Sequence, residues 1–337
     1  MNKNDDMRHT IPKEQLRNKS SWFDAVLGRV RTDESDNFYE NVPTKLGSKF
    51  YDNERLHDLL KKLYKIYCNI IGPFHILPDF LILAPGACGT TSMLELYLRS
   101  NEHILPSKIN EIFYFDKSHP NSINWYKVLF PSIFTKKIRG IIGKKTLTCE
   151  ATGSYILDPS APKRIKKILP DVKFVVMLRN PTDRTLSSYK RRIRNRKETR
   201  SFEEAIEYEQ NNFKKEFQEY VKNENEIAFY PFANSYLAGS RYVEQIEIWL
   251  RYFPKEQFLF INSNDYFKDP LKEYNRILEF VGLSSHHPNI QGKRGITPPE
   301  WFANITIKPE TIEFLRNYFQ PWNEKLFNLI GVKYDWK

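Results

Sequence analysis

Residues 80–99 read FLILAPGACGTTSMLELYLR, and this stretch decides the fold. Phe80 to Leu83 are four consecutive apolar residues, the mark of a short strand buried on both faces. Pro85-Gly86-Ala87-Cys88-Gly89 makes a small-residue turn, and Thr90-Thr91-Ser92 then opens a helix whose apolar side is Met93, Leu94, Leu96 and Leu98. A strand that turns through glycine into a hydroxyl-started helix gathers unpaired N–H groups and the positive end of a helix dipole at one place. Phosphate is the expected ligand of such a turn. A strand–turn–helix with an ordinary Ser/Thr cap and no ligand is the competing account. The nucleotide P-loop pattern GxxxxGK[ST] is not met, because Thr90 and not lysine follows Gly89; this argues against ATP or GTP hydrolysis.

The same grammar returns downstream. VKFVVML, residues 172–178, is a second strand, apolar nearly throughout, and it runs straight into Arg179-Asn180-Pro181-Thr182-Asp183-Arg184 and a helix carrying Ser187, Ser188 and Tyr189. A second strand end therefore delivers Arg179 and Ser187 to a crevice of the kind in which open α/β sheets bind ligands. Arg179 can offer a planar fork to a phosphate, and pairing with Asp183 is its alternative use. Two phosphate-type turns on adjacent parallel strands point to a ligand with phosphates at both ends.

Between the two turns lies SKINEIFYFD, residues 107–116, in which Glu111 directly precedes an aromatic run. The pattern predicts a partly desolvated carboxylate with a raised pKa, suited to accept a proton; a carboxylate in a salt bridge at an element's end is the alternative. Residues 146–158 read as a short strand ending at Glu150 and then a turn, and residues 162–169 as a basic helix. The run KRRIRNRKETR, residues 190–200, holds seven basic residues, which serve either a solvated helix end or a rim for an anionic acceptor. Beyond it come a surface helix opened by a capping box at Ser201-Phe202-Glu203-Glu204, an amphipathic helix in VEQIEIWLRYF, a third strand over 258–261, and a helix over 274–281 closed by Gly282. Residues 284–299 form a loop with Lys293 and Arg294 beside two glycines, and a final helix carries Ile312, Leu315, Tyr318 and Phe319.

Residues 1–50 are polar apart from a helical stripe of Trp22, Phe23, Val26, Leu27 and Val30, and residues 54–71 form a stronger amphipathic helix ended by Gly72-Pro73. The expected organisation is an N-terminal extension over 1–75, its helices packing on a single α/β domain over 76–337 with a central parallel sheet flanked by helices. No run approaches the ~20 apolar residues of a membrane span, and the start MNKNDDMRHT has no apolar signal region. Cys68, Cys88 and Cys149 lack pairing or metal spacing. These features predict a soluble, cytoplasmic protein unless an anchor precedes the sequence, with the sequons at Asn18 and Asn304 unused. The net charge of +11 favours anionic partners, but the basic residues are dispersed and no nucleic-acid module is present, so an anionic nucleotide is preferred.

Taken together, these motifs resemble the sulfotransferases that use 3′-phosphoadenosine 5′-phosphosulfate (PAPS), in particular the carbohydrate (heparan-type) branch and its bacterial relatives. The resemblance spans about residues 78–337. CGTTS at 88–92 matches the loop for the 5′-phosphosulfate, and NEIFYFD at 110–116 resembles the segment whose glutamate is the base. EATGSY at 150–155 resembles a substrate-side strand end, and LRNPTDRTLSSY at 178–189 matches the 3′-phosphate site. QGKRG at 291–295 looks like the late basic loop over the nucleotide, and YLAGSRYVEQIEIWLRYFP and the C-terminal FQPWNEKLFNLIG are also family-like.

The resemblance implies a P-loop-NTPase-like sulfotransferase fold and in-line transfer of the sulfuryl group to a hydroxyl or amine of a carbohydrate or small molecule, with PAP as product and no metal. It implies Glu111 as base, and Ala87, Cys88, Gly89, Thr90, Thr91 and Ser92 around the 5′-phosphate. Arg179 and Ser187, with Lys293 and Arg294, are implied at the 3′-phosphate. Three positions depart from the pattern: Ala87 stands where the family usually has lysine, Asn110 where lysine is common, and Gly153 where proline is frequent. Lys108, the cation nearest in sequence, is the candidate to cover the leaving group in place of Ala87. The alternative function is a catalytically degenerate relative that binds the nucleotide or a glycan. His119 is a fallback base. Acceptor choice would lie in residues 117–145, 190–235 and the N-terminal extension, none of which carries a legible motif.

Overall fold

A computed structural model describes residues 54–116, 122–222, 235–288 and 307–336. The chain divides into two units, Met1–Gly72 and Pro73–Lys337. In the first, the described residues form the expected helix, α1 (Glu54–Ile71). The Trp22 stripe lies outside the described residues, as do His119, Lys293, Arg294 and both sequons.

The second unit is built on four parallel strands, β1 (Phe80–Leu83), β2 (Cys149–Ala151), β3 (Lys173–Leu178) and β4 (Phe258–Asn262), in the order β2-β1-β3-β4. Phe80 is in register with Cys149 on one side and Lys173 on the other, and Val176 with Phe260. The strand order reverses about β1: the chain builds β2 on one side of it, then β3 on the other. In an open parallel sheet the crevice at that reversal, beyond the strands' carboxyl ends, is where ligands bind.

Strands β1 and β3 read as apolar runs because helices cover both faces of the sheet. On one face Phe80, Ile82, Val175, Met177 and Ile261 meet Met93, Leu94, Tyr97 and Leu98 of the helix that follows β1, together with Tyr274, Ile277, Leu278 and Val281. On the other, Phe174 packs against Trp249, Phe253 and Phe258 at ring-centroid distances of 4.7–5.2 Å. Helix α2 begins as a short α-turn (Thr90–Ser92) and continues in wider π winding (Met93–Leu98), with Arg99 N–H donating five residues back to Leu94 at 2.9 Å. Sequence periodicity does not reveal that widening.

The outer edge of β2 is not left open. Residues 103–111 run beside it, exchanging bonds with Leu147, Cys149 and Ala151; the last is Glu111 N–H to Ala151 C=O at 3.2 Å. Covering an edge in this way removes a row of unpaired backbone groups. It also carries Glu111 to the same end of the sheet as the β1 and β3 turns.

Candidate active site

The turn after β1 has a consistent polarity. Every carbonyl from Pro85 to Gly89 accepts from a protein donor. Pro85 C=O takes Arg184 Nη2 at 2.7 Å and Nε at 3.2 Å, and Gly86 C=O takes the Cys88 thiol at 3.2 Å. Ala87 C=O takes Arg179 Nη1 at 3.1 Å, and Cys88 C=O takes Ser263 Oγ at 2.8 Å. Gly89 C=O takes Ser92 Oγ at 2.9 Å and Met93 N–H at 3.0 Å. In a trans peptide the next residue's N–H points opposite to the carbonyl. The N–H groups of Gly86 to Thr90 therefore point away from these donors.

That polarity requires left-handed backbone. Gly86 (φ 88°), Ala87 (φ 59°) and Gly89 (φ 92°) all adopt it. For Ala87 the conformation costs about 1–2 kcal/mol, which the Arg179 contact to its carbonyl helps to offset. Gly89 is needed twice over, since a Cβ there would lie 2.9 Å from the Tyr266 ring. The Cys88 thiol is fully buried, and burial pushes its pKa up to about 11. It is a packing group whose backbone amide points away from the turn's donors. The Ser92 hydroxyl is committed to Gly89 and to Tyr266 OH at 2.8 Å, leaving Thr90 and Thr91 as the turn's available hydroxyls.

Arg179, at the end of β3, joins the two turns. Its Nη1 reaches both Ala87 C=O and Ser187 Oγ at 3.1 Å, and Ser187 lies on α3 (Pro181–Arg194). Its guanidinium also lies over the Phe267 ring, 5.7 Å from the centroid, and among the described residues Asp183 is not one of its hydrogen-bond partners. Its Nε is buried and has no hydrogen-bond partner among the described residues, an orphan donor that an anion would satisfy. Tyr242 OH fixes the backbone by donating to Arg179 C=O at 2.9 Å. Arg184, fully buried one turn into α3, also holds Ser235 and Tyr236 carbonyls, so the β1 turn is fastened to a cationic framework.

Glu111 corrects one expectation. It is exposed, with left-handed φ of 52°, and is not edged into the apolar interior, so the desolvation expected of it is absent. Ile112 and Phe115 are buried, and the left-handed turn at Glu111 and Phe113 swings the carboxylate outward. The carboxylate buried beneath this loop is Glu150, which the sequence pattern marks only as a strand end. It accepts from Thr152 Oγ1 at 2.6 Å, Tyr155 OH at 2.8 Å and Tyr126 OH. Thr152 Oγ1 in turn accepts Ile112 N–H at 2.9 Å, and Tyr155 OH accepts Phe115 N–H at 3.3 Å. Burial holds the Glu150 pKa above the ordinary carboxylate range, against the pull of those hydroxyls. An acidic residue inside the otherwise buried run TLTCEA was the available signal.

The departures have structural counterparts. Asn110 is tied to Glu95 at 2.8 Å and receives Arg99 Nη2 at 3.2 Å, so an arginine stands beside the position. Gly153 accepts Ala84 N–H at 3.1 Å, and a Cβ at 153 would sit 2.8 Å from Ala84 C=O, which proline could not avoid. Lys108 donates its ammonium to Val128 C=O at 2.8 Å.

The sulfotransferase domain family matches residues 77–293. Heparan sulfate glucosamine 3-O-sulfotransferase 3B1 of Mus musculus is 26% identical over 279 residues, covering 77% of this chain. The chain spans 65% of that relative's length, slightly less than two thirds. Membrane-associated sulfotransferase kil1 of Dictyostelium discoideum is 24% identical over 349 residues, covering 84% of this chain and 72% of its own. The crystal structure of a sulfotransferase from Alicyclobacillus acidocaldarius superposes with a TM-score of 0.56 at 25% identity, over 77% of this chain and 98% of that one.

These relatives overturn the cytoplasmic expectation, since one bears membrane association in its name and others act on heparan sulfate. The cysteine argument behind that expectation fails physically. Cys68, Cys88 and Cys149 are buried and not in disulfides, where a thiol behaves as a small apolar side chain and its spacing says nothing of the redox compartment. With it goes the ground for setting aside Asn18 and Asn304. Among the described residues no helix is long and apolar enough to cross a membrane.

Proposed function

The chain belongs to the sulfotransferase domain family, and from that premise we propose that it transfers the sulfuryl group of PAPS to a carbohydrate hydroxyl. The observation that carries this reading is the inward capture of five successive carbonyls, 85 to 89, which turns their partner amides into an anion cradle beside Arg179. The cradle suits the 5′-phosphosulfate. Ser187 and the orphaned Nε of Arg179 suit the 3′-phosphate. Heparan-type acceptors are favoured by the named activity of the relatives.

In the reaction the acceptor oxygen attacks sulfur in line, and the bond from sulfur to the 5′-phosphate oxygen breaks. The acceptor proton passes to the Glu111 carboxylate, and the charge left on the departing phosphate is met by amides already oriented for it. A second reading, nucleotide binding without turnover, is favoured by Ala87, which brings no charge to the turn. Incubation with labelled PAPS and a panel of heparan oligosaccharides and small alcohols decides between them. Label in a glycan is the expected result. PAP binding without transfer to any acceptor would give the second reading the lead.

A further inference from the structure

Ala87 leaves the β1 turn without a side-chain cation, yet the structure brings one to the neighbouring residue. Helix α3 presents Arg184, Ser187 and Arg191 at spacings of three and four, one stripe along its surface. The stripe faces the turn. Arg184 donates to Pro85 C=O, and Ser187 shares Arg179 with Ala87 C=O. Arg191 lies directly over Gly86, between them: a Cβ built on Gly86 would be 3.1 Å from its Nη2 and 3.3 Å from its Nη1. Arg191 is exposed, so its guanidinium is open to solvent beside Gly86 and not in the core.

We propose that Arg191 is the cation that neutralises the leaving 5′-phosphate, in place of the side chain that Ala87 lacks. This rests on the PAPS reading above. As the sulfur–oxygen bond breaks, negative charge grows on the bridging oxygen and its phosphate, and a planar guanidinium next to the amide cradle binds that charge more tightly than it binds the ground state. Gly86, at φ 88°, lets the guanidinium approach this closely; a Cβ there would require it to give by a few tenths of an ångström. Lys108, held on Val128, is not required for this role.

The test separates the two ends of the nucleotide. Affinities of wild type, Arg191→Ala and Arg191→Lys are measured by calorimetry for PAP and for adenosine 3′-monophosphate, which lacks the 5′-phosphate. Arg191→Ala should weaken PAP by about tenfold to a hundredfold, the size of one charge-assisted contact, and leave the 3′-monophosphate unchanged. With PAPS, kcat should fall more than KM rises. Lysine at 191 should restore part of both, and so should Ala87→Lys added to Arg191→Ala. Equal weakening of both ligands would mean a merely structural role, and wild-type behaviour of Arg191→Ala would remove the assignment while leaving PAPS use intact. Absence of PAP binding to wild type would instead bring down the PAPS reading and this inference with it.

Discussion

Two loops leave the same end of the sheet, and they are held in opposite ways. The turn at 84–92 is fastened by charged side chains: Arg184 and Arg179 grip its carbonyls from a buried or half-buried framework. The loop at 111–116 hangs by its amides on neutral hydroxyls, and those converge on one buried carboxylate, Glu150. Each loop contains non-glycine residues in left-handed conformation, Ala87 in the first and Glu111 and Phe113 in the second. Guanidinium groups keep their charge at any ordinary pH, so the clamps on the first turn do not depend on pH in that range. The loop carrying Glu111 is anchored through hydroxyls that converge on Glu150.

The sharpest separation of the two loops is expected from Glu111→Gln. If the carboxylate only accepts the acceptor's proton, turnover with PAPS should fall by about 10²–10⁴ while calorimetric PAP affinity stays at the wild-type value. A parallel loss of PAP affinity would merge the two loops into one functional unit. Gly89→Ala acts on the other side. Its Cβ would meet the Tyr266 ring at 2.9 Å in a left-handed conformation, and the strain should lower stability by about 1–3 kcal/mol and weaken PAP. Thermal unfolding checks the first effect and calorimetry the second; a neutral outcome in both would show that the cradle does not need this geometry.

The smallest effect expected is a pH difference. Burial raises the folded-state pKa of Glu150 above its unfolded value. Its contribution is therefore full below the unfolded carboxylate pKa and is lost as pH rises through the folded one. Relative to Glu150→Gln, which cannot ionise, wild type should lose melting temperature as pH climbs above the ordinary carboxylate range. PAP affinity should show no such difference. Parallel melting curves across that range would remove Glu150 from its anchoring role.

Much of the nucleotide side was legible in sequence because buried parallel strands are apolar runs, and β1 and β3 each deliver a short polar motif straight off their ends. The sheet followed from those runs, with β3 starting at Lys173 where residue 172 was expected and β4 extending to Asn262. What spacing could not give were contacts across long stretches of chain. Ser263 on Cys88 C=O and Arg191 over Gly86 are made by folding, and no local pattern announces them. Glu111 misled for a local reason. Its neighbours are buried as the aromatic run suggested, but two left-handed residues turn the carboxylate out. Asp183 likewise looked like a partner for Arg179 on the linear sequence, whereas the helix start places Ser187 and the turn carbonyl within reach.

The central claim is that the ends of β1 and β3 form one site for a nucleotide phosphorylated at both ends. Calorimetric titration of PAP into wild type and Arg179→Ala tests it most directly. Tight binding to wild type, weakened about tenfold to a hundredfold in the variant, is the predicted result. Equal affinity in the two proteins, or no binding to wild type, would contradict the claim.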